Sequence, residues 1–513
     1  MKRKILNIGL AVTMMFYASS CGKDFLDVNT DPNNATSVEP ELVLPAAITS
    51  ASSAIGGDYA ILGGIWSQYW TQNNGSNQYK TIDAFNLRPL DYNNRWTEIY
   101  SGALNDFKYV RTASEAKGNW NLNLMATVVQ SYTYQVMADL YDQIPFEESL
   151  KGETGNLNPV FVPGQQVYDG LVARIDEALG KPVGGNSPIG AGDVIFQGNM
   201  TNWIRFANTL KLKLFLRQSE ARPAIAEAGV RALYSGGANF LTTDAAQGGW
   251  QDQTNKRNPL YEMDQSPALN TNQNLKASNT MFSFLQANGD PRLPALYIPG
   301  SGGQKAQEQG AFNVSSTVTV PTTVSRARIA PTAPVYYFSL AEVYFLQAEA
   351  VVRGWGTGDA KALYESGVRA SFSQLATEMA KSFPTDTSFA DLNQATATAL
   401  LAPGTGAYAF PTTGTQQEKL KAIITQKWVA LAGTYQGLEA YLERNRTDIP
   451  KTSAVARTTD AGYVPGEFVY PVEGVTNGKF AKRLIFPEFE RTRNSNTPAQ
   501  VDITVPVWWD KGE

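Results

Sequence analysis

Apolar residues along this chain recur mainly at the steps of three and four that build one buried helix face. The clearest run covers residues 95–117, and a Gly-Asn pair at 118–119 separates it from a second run at 122–141. A short break between two such runs predicts an antiparallel helix pair. Weaker runs of the same period predict further helices at 167–179, 203–217, 340–353, 360–379 and 419–431.

Two stretches lack this helical period. Residues 241–330 are rich in Gly, Asn, Gln, Ser and Thr and are interrupted by prolines, which predicts long loops with short strands. Within them, residues 314–320 alternate in the manner of a strand, and residues 454–481 form a second loop-rich segment. Because loops on a rigid scaffold commonly carry function, we expect a binding site among these segments.

Most of the predicted helices come in pairs, without a strict repeat length. This arrangement is compatible with a degenerate helical-repeat array of the tetratricopeptide type, although no clean 34-residue signature is visible. The pattern therefore predicts a mostly α chain that forms a single large body.

The first residues have the layout of a secretory signal peptide. Lys2, Arg3 and Lys4 form a positive region, residues 5–17 are mostly apolar, and three small residues precede Cys21. The apolar run is too short to span a hydrocarbon core of about 30 Å. We therefore expect residues 1–20 to be a signal peptide, with a buried N-terminal helix as the alternative.

Cys21 is the only cysteine in the chain, so it has no partner for an internal disulfide. Its place directly after the small residues resembles the lipobox of bacterial lipoproteins, in which the cysteine is lipidated and becomes the mature N-terminus. Ala18 departs from that pattern, because leucine is usual there. We expect a membrane anchor at Cys21 and one domain over residues 21–513; the alternative is an ordinary secreted protein with an accidental cysteine.

Charge and composition exclude several classes of function. Loss of the signal peptide would leave 40 basic against 47 acidic side chains, a net charge of −7, and nucleic-acid binding needs a basic surface instead. The chain has 0 histidines, which excludes Ser-His-Asp triads, HExxH zinc sites and other histidine-ligated metals. Carboxylate pairs, Ser-Lys chemistry and oxygen-ligated calcium remain possible.

Five segments follow one another in a fixed order from residue 21 to the end of the chain. They read CGKDFLDVNTDPN (21–33), WIRFANTLKLK (203–213), SLAEVYFLQAEA (339–350), TQKWVA (425–430) with EAY (439–441) and RNR (444–446), and FPEFERTRNSN (486–496). Together they resemble the SusD/RagB family of outer-membrane nutrient-binding lipoproteins. Leu340 departs from the family pattern, where tyrosine is common.

The resemblance implies a scaffold of paired tetratricopeptide-like helices, with loops and a few short strands packed on one side. It also implies a SusC-like TonB-dependent barrel as partner, to which such lipoproteins deliver an oligosaccharide or, in some members, a peptide. Lys23, Asp24 and Asp27 look like the charged signal that directs these proteins to the outer surface. The family uses no cofactor, and none is expected here.

The best candidates for ligand contacts combine aromatic rings with amides. Sugar rings stack their flat faces on Trp and Tyr, and sugar hydroxyls pair with amides and carboxylates. The first cluster consists of Trp66, Tyr69, Trp70, Asn73, Asn74 and Tyr79. The alternative for this cluster is that the two tryptophans, four residues apart, form a buried helix face; Asn73, Asn74 and Asn77, in a loop past that helix, are then the better candidates. A second candidate is Trp250 with Gln251, Asp252, Asn258 and Tyr261.

A calcium loop is a weaker possibility near the mature N-terminus. Asp27, Asn29, Asp31 and Asn33 have the spacing of its first ligands, but Pro32 stands where the loop needs Gly, and its final Glu is missing. Asx turns explain the same residues without a metal.

Patterns that would indicate an enzyme are incomplete. The nearest acidic pairs, Glu147-Glu148 and Glu488/Glu490, are close in sequence, whereas glycoside hydrolysis needs two carboxyls facing each other across a cleft. Ser114 and Lys117 have Ser-Lys spacing without the companion motifs. The Trp-Trp-Asp sequence at 508–510 is interpreted as a packing anchor. Three hypotheses remain: a ligand-binding lipoprotein, a lipid-anchored glycosidase using Asp and Glu, and a structural tether.

Overall fold

The computed structural model describes residues 38–185, 189–313 and 322–512. Several predictions fall on other residues: the signal peptide at 1–20, the anchor at Cys21, the charged signal at 23–27, the calcium-like segment at 27–33 and the strand at 314–320. They lie outside the described residues and stay predictions. Within the described ranges, no helix is both long and apolar enough to cross a membrane.

The described part of the chain is mainly helical. Its helices are α1 (Pro40–Gly56), α2 (Asp58–Trp66), α3 (Lys80–Asp83), α4 (Asn93–Thr97), α5 (Asn105–Ala116), α6 (Trp120–Tyr141), α7 (Gly164–Leu179), α8 (Met200–Arg217), α9 (Pro223–Ser235), α10 (Pro259–Asp264), α11 (Asn279–Ala287), α12 (Arg292–Leu296), α13 (Leu340–Val352), α14 (Ala360–Ser382), α15 (Gln394–Leu400), α16 (Gln416–Gly433), α17 (Gly437–Thr447) and α18 (Glu488–Arg493). Short 3₁₀ turns cover Gly152–Thr154 and Gly190–Gly192.

The strands are short and form three antiparallel sheets in the described ranges. One sheet has four strands in the order β1-β5-β7-β6, and the pairs β2-β3 and β4-β8 form the others. The strands are β1 (Trp70–Gln72), β2 (Gln143–Pro145), β3 (Phe161–Pro163), β4 (Ala245–Gln247), β5 (Leu275–Ala277), β6 (Tyr297–Ile298), β7 (Arg326–Ala327) and β8 (Val335–Phe338).

The helix pair predicted from periodicity is confirmed. Helix α4 continues through a π-helical segment, Glu98–Leu104, into α5, and α5 packs against α6. Asn119, in the break between α5 and α6, caps the N-terminus of α6, because its side chain accepts a hydrogen bond from Leu122 N at 3.2 Å. The apolar periodicity of residues 95–117 continues through this π-helical segment and therefore did not predict it.

Consecutive helices pack side by side along most of the chain, as in α5-α6, α6-α7, α8-α9, α13-α14 and α16-α17. The helices predicted at 167–179, 203–217, 340–353, 360–379 and 419–431 are present as α7, α8, α13, α14 and α16. The mostly α scaffold of paired, tetratricopeptide-like helices is therefore confirmed. The predicted loop-rich segment at 454–481 contains no helix. The prediction for residues 241–330 is only partly correct, because three short helices, α10, α11 and α12, lie among its loops and strands.

Three helices before residue 95, α1, α2 and the short α3, were not predicted. Helix α1 is rich in small residues and contains Pro45, and eight of the nine residues of α2 are buried, so neither shows a contrast between an apolar and a polar face. The interpretation of Trp66 and Trp70 as one helix face is wrong, since Trp66 ends α2 and Trp70 begins β1. The tight turn between them places Gln68 at φ 56°.

Helix α2 crosses α17 at backbone contact. A Cβ atom added to Gly63 would lie 1.9 Å from Leu438 N, and one added to Gly437 would lie 2.4 Å from Gly64 N. Only glycine permits two helix backbones to approach this closely. The contact joins the first helical pair to the last helices of the scaffold.

A network of buried charges connects α8, α13, α16 and α17. Lys213 Nζ lies 2.8 Å from Glu342 Oε1, and Arg217 Nη2 lies 2.7 Å from Glu439 Oε2. Burial works to raise the pKa of Glu439, but the charges of Arg217, Lys213 and Lys427 outweigh it and lower this pKa to about 2. The core of the scaffold is thus partly ionic: nearby cations lower the pKa of Glu349, Glu439 and Glu443, whereas burial raises the pKa of Glu342. The cations of the network are Lys213, Arg217, Lys427 and Arg446, and its carboxylates are Glu342, Glu349, Glu439 and Glu443.

The C-terminal tryptophans anchor the tail to this scaffold, as predicted. Trp509 is fully buried and its Nε1 donates to Asp139 Oδ1 at 2.8 Å. Trp508 N donates to Asp142 Oδ1 at 2.6 Å, and its ring meets that of Tyr168 edge to face.

Candidate functional site

Two loops, the first and the third in chain order, meet beside the four-stranded sheet: residues 73–79 after β1 and residues 265–274 before β5. The second loop, residues 248–258, is joined to the third by the short helix α10. We call the surface of these three loops the loop face. The first and third loops are joined directly, because Asn73 N donates to Asn274 O at 2.8 Å and Ser76 Oγ donates to Asn274 Oδ1 at 2.5 Å. The pairing of β1 with β5 holds the bases of these two loops side by side.

Asp83, at the end of α3, fixes the base of the first loop. Its carboxylate accepts hydrogen bonds from Thr71 Oγ1 at 2.7 Å, Gln72 N at 2.8 Å and Gln309 Nε2 at 2.5 Å. Burial raises the pKa of Asp83 to about 6 despite these donors. The loop is therefore held on a rigid, hydrogen-bonded base.

Tyr79 connects the first loop to α10. Its hydroxyl donates to Met263 O at 3.0 Å, and its backbone N donates to Gln72 Oε1 at 2.6 Å. The ring of Tyr79 is buried, so it has no open face on which a ligand could stack. Its observed contacts instead link the first loop to α10.

The amides predicted from the sequence lie on this face. Asn77 is exposed, Asn73 is half-buried and Asn74 is buried. The Oδ1 atom of Asn73 is buried and accepts no hydrogen bond from the described residues. Such an acceptor is available to a donor that the chain does not supply. Exposed Asn270 and Thr271 on the third loop add further polar groups that the sequence analysis did not single out.

Three of the four aromatic residues of the first cluster lie beneath the loop face in the core. Trp66, Tyr69 and Trp70 are 2%, 1% and 4% exposed. Trp66 Nε1 donates to Ile82 O at 3.1 Å, the Tyr69 hydroxyl donates to Trp428 O, and the Trp70 ring packs on Gly64. No face of these rings is open to a sugar, because packing against helices α2 and α16 occupies them. These buried rings support the loops above them.

Trp250 lies on the second loop and is half-buried. Its Nε1 donates to Gln247 O at 3.2 Å, which fixes the indole at the end of β4. The neighbouring Tyr261 is also half-buried, with the Arg257 guanidinium 5.7 Å from its ring centre. These two rings, rather than the tryptophans of the first cluster, supply the partly open aromatic surface of the loop face.

Two basic residues of the adjoining sheet were not predicted. Lys276 in β5 and Arg326 in β7 are direct cross-strand partners. Burial and the positive charge of Arg326 lower the pKa of Lys276 to about 8. Fifty positions separate the two residues in the sequence, so only the strand register brings their charges together.

The residues that could have indicated catalysis are occupied elsewhere. Glu490 accepts from Trp96 Nε1 at 3.1 Å and from Asn494 Nδ2 at 2.8 Å, and so holds α18 in place. Ser114 is buried and donates to Arg111 O at 3.0 Å, whereas Lys117 pairs with Glu39. Among the residues that the structure describes, no group of three or more acidic, cysteine or histidine side chains could hold a metal ion.

Comparison with known proteins gives one family and one fold. A model of the SusD-like family, described as starch-binding and associating with the outer membrane, matches residues 32–471. No curated protein matches the chain significantly by sequence.

Solved structures match over nearly the whole chain. A chitin-binding SusD homologue from Flavobacterium johnsoniae is 21% identical with a TM-score of 0.71, and the match covers 92% of this chain and 99% of that one. A SusD homologue from Bacteroides uniformis is 23% identical, with a TM-score of 0.70 and the same coverage. A SusD/RagB family protein from Bacteroides thetaiotaomicron is 19% identical with a TM-score of 0.74, covering 93% and 100%. At these identities the likeness establishes the fold.

Proposed function

Since the chain belongs to the SusD-like family, we propose that it is a cell-surface lipoprotein that captures an intact oligosaccharide and delivers it to a TonB-dependent outer-membrane transporter. Cys21 provides the lipid anchor, and the barrel transporter is the partner. The observation that carries the proposal is the loop face, which gathers polar loops and two partly open aromatic rings on a rigid helical scaffold.

The chemistry of the loop face suits a sugar. The half-buried rings of Trp250 and Tyr261 offer apolar surface for the flat face of a pyranose, while the exposed Asn77, Asn270 and Thr271 side chains can pair with hydroxyls. Hydrogen bonds and stacking of this kind hold a ligand without covalent chemistry. The chitin-binding relative and the starch-binding description of the family support a glycan over a peptide.

We propose binding without catalysis. Glu148, one of the predicted acidic pair, accepts from Asn156 Nδ2 at 3.3 Å and Val160 N at 3.4 Å, and its neighbour Glu147 lies 3.6 Å from Arg174. Glycoside hydrolysis needs two carboxyls roughly 5–10 Å apart across a substrate cleft. The local bonds of these glutamates instead fit roles in holding a surface loop.

Replacing Trp250 with alanine is expected to weaken oligosaccharide binding by about tenfold or more, because a buried aromatic contact typically contributes 2 kcal/mol or more. The measurement is calorimetric titration of the full chain with chitin- and starch-derived oligosaccharides.

Trp355→Ala is the matched control for this prediction. Trp355 is also half-buried, but it occupies the turn after α13, where the Arg353 guanidinium lies 5.2 Å from its ring. Its replacement should leave the affinity unchanged. Equal losses in the two variants would refute the placement of the sugar at the loop face.

A further inference from the structure

Lys276 is an unusual lysine. The residue is only 6% exposed, yet its ammonium group makes no hydrogen bond and no ion pair with any described residue. Buried ammonium groups in proteins are normally paired, because an uncompensated charge away from water is costly. By contrast, the buried Lys213 and Lys427 of the helical core each lie within 3.3 Å of a glutamate.

Arg326 lies opposite Lys276 on the next strand and adds a second positive charge. Its Nη1 donates to Gln265 Oε1 at 2.8 Å, and no carboxylate of the described residues lies within ion-pair distance. Arg328, two residues further along, shows the usual arrangement, with Asp386 Oδ2 2.8 Å from its Nη1. Two neighbouring cations on one sheet therefore lack the anion that similar residues nearby possess.

The charge of Asp264 acts on both cations, but its carboxylate forms an ion pair with neither. Its oxygens accept from Asn274 N at 2.9 Å, Leu275 N at 3.2 Å and Gln265 Nε2 at 2.8 Å. These neutral donors occupy it, and burial raises its pKa. Burial lowers the pKa of both Lys276 and Arg326, and so do the charges of Arg326 on Lys276 and of Arg328 on Arg326, which together outweigh the opposing charge of Asp264.

The pair belongs to the base of the loop face. Lys276 lies two residues after Asn274, which holds the first and third loops together, and Arg326 binds Gln265, which begins the third loop. A ligand lying over these loops would bring its substituents close to both cations.

We propose that Lys276 and Arg326 form an anion site at the loop face, which receives the acidic group of a carboxylated or sulfated saccharide. The inference rests on the proposed glycan capture and names its substrate class. Arginine suits either group, since its planar fork matches carboxylate and sulfate oxygens, while the lysine acts as a point charge. A charge-assisted contact to a buried cation would then distinguish acidic saccharides from neutral ones of the same backbone.

The test compares one oligosaccharide backbone in three forms, neutral, uronate-bearing and sulfated, by calorimetric titration of the full chain. The wild type should bind at least one acidic form about tenfold more tightly than the neutral form. Whether the uronate or the sulfate gains affinity identifies the acidic group.

Lys276→Met should abolish this preference and leave the affinity for the neutral form within about twofold. Lys256→Met is the matched control, because Lys256 is exposed on the same loop face and should retain the preference. If Lys276→Met does not fold, Arg326→Gln serves instead, with the same expected loss.

Three outcomes would overturn the anion site. The wild type could bind all three forms equally, the control could lose as much as Lys276→Met, or the affinity for the neutral form could fall in parallel with that for the acidic form. In each case the neutral oligosaccharide is still bound, so glycan capture stands. If the folded wild type bound none of the three forms, glycan capture and the anion site would both fail.

Discussion

Replacing Arg446 with methionine is expected to lower the free energy of unfolding by about 3–5 kcal/mol, since it removes one partner from buried ion pairs. The Arg446 guanidinium donates to both oxygens of Glu349, at 2.7 and 2.8 Å, to Glu443 at 2.7 and 3.1 Å, and to Ser219 Oγ at 3.0 Å. Methionine fills a similar volume but leaves these acceptors without their main donor.

The pH dependence of this loss follows from the two carboxylates. Burial works to raise the pKa of Glu349 and Glu443, but Arg446, with the other cations nearby, lowers both below the usual value of 4.5. A carboxylate with a lowered pKa stabilises the fold above its unfolded pKa and loses that contribution as the pH falls. The loss of unfolding free energy in Arg446→Met should therefore be largest at neutral pH and should decrease below about pH 4.5.

Urea unfolding of the full chain measures this loss. Arg231→Met is the matched control, because Arg231 forms an exposed pair with Glu227 at 2.8 Å, and such pairs contribute only about 0.3–0.5 kcal/mol. If Arg446→Met cost no more than the control, the ionic network would not be a major source of stability for the scaffold.

The second large effect is expected at the crossing of α2 and α17. Gly63→Ala would place a Cβ atom 1.9 Å from Leu438 N and 2.2 Å from its Cα, so two helix backbones must separate. Overpacking of this kind typically costs about 1–3 kcal/mol, and the value should lie at the upper end because no flexible side chain can yield. Alanine favours a helix by only about 0.5–1 kcal/mol over glycine, which does not offset the clash.

Gly152→Ala is the control for this prediction, since a Cβ atom there meets nothing within 4 Å. Its free energy of unfolding should stay within about 0.5 kcal/mol of the wild type. Equal stability of the two variants in urea unfolding would show that the helices α2 and α17 do not rely on this close approach.

Periodicity predicted the helices that bury one face and expose the other, such as α5, α7 and α8, and also α6, which is buried along nearly its whole length. It failed for α2, which is buried nearly all round, and for the turn that converts Trp66 and Trp70 from helix neighbours into residues of a helix and a strand. A local pattern cannot register such a change, because the turn depends on the sheet partner of Trp70, Ala277, more than 200 residues away.

The same limit applies to the candidate site. The loop amides Asn73, Asn74 and Asn77 were predicted because they lie close together in one polar segment, and all three belong to the first loop of the loop face. Whether an aromatic ring is open to a ligand depends on what packs against it in the fold. Trp70 is therefore buried and Trp250 only half-buried, although both stand beside polar residues in the sequence. Lys276 and Arg326 become neighbours only through strand register.

The most direct test of glycan capture at the loop face is calorimetric titration of the full chain with neutral and acidic oligosaccharides and with peptides, followed by product analysis of each bound ligand. We expect an oligosaccharide to bind and to be recovered intact, with the affinity reduced in Trp250→Ala. Binding of peptides alone, or recovery of cleaved sugar, would contradict the account.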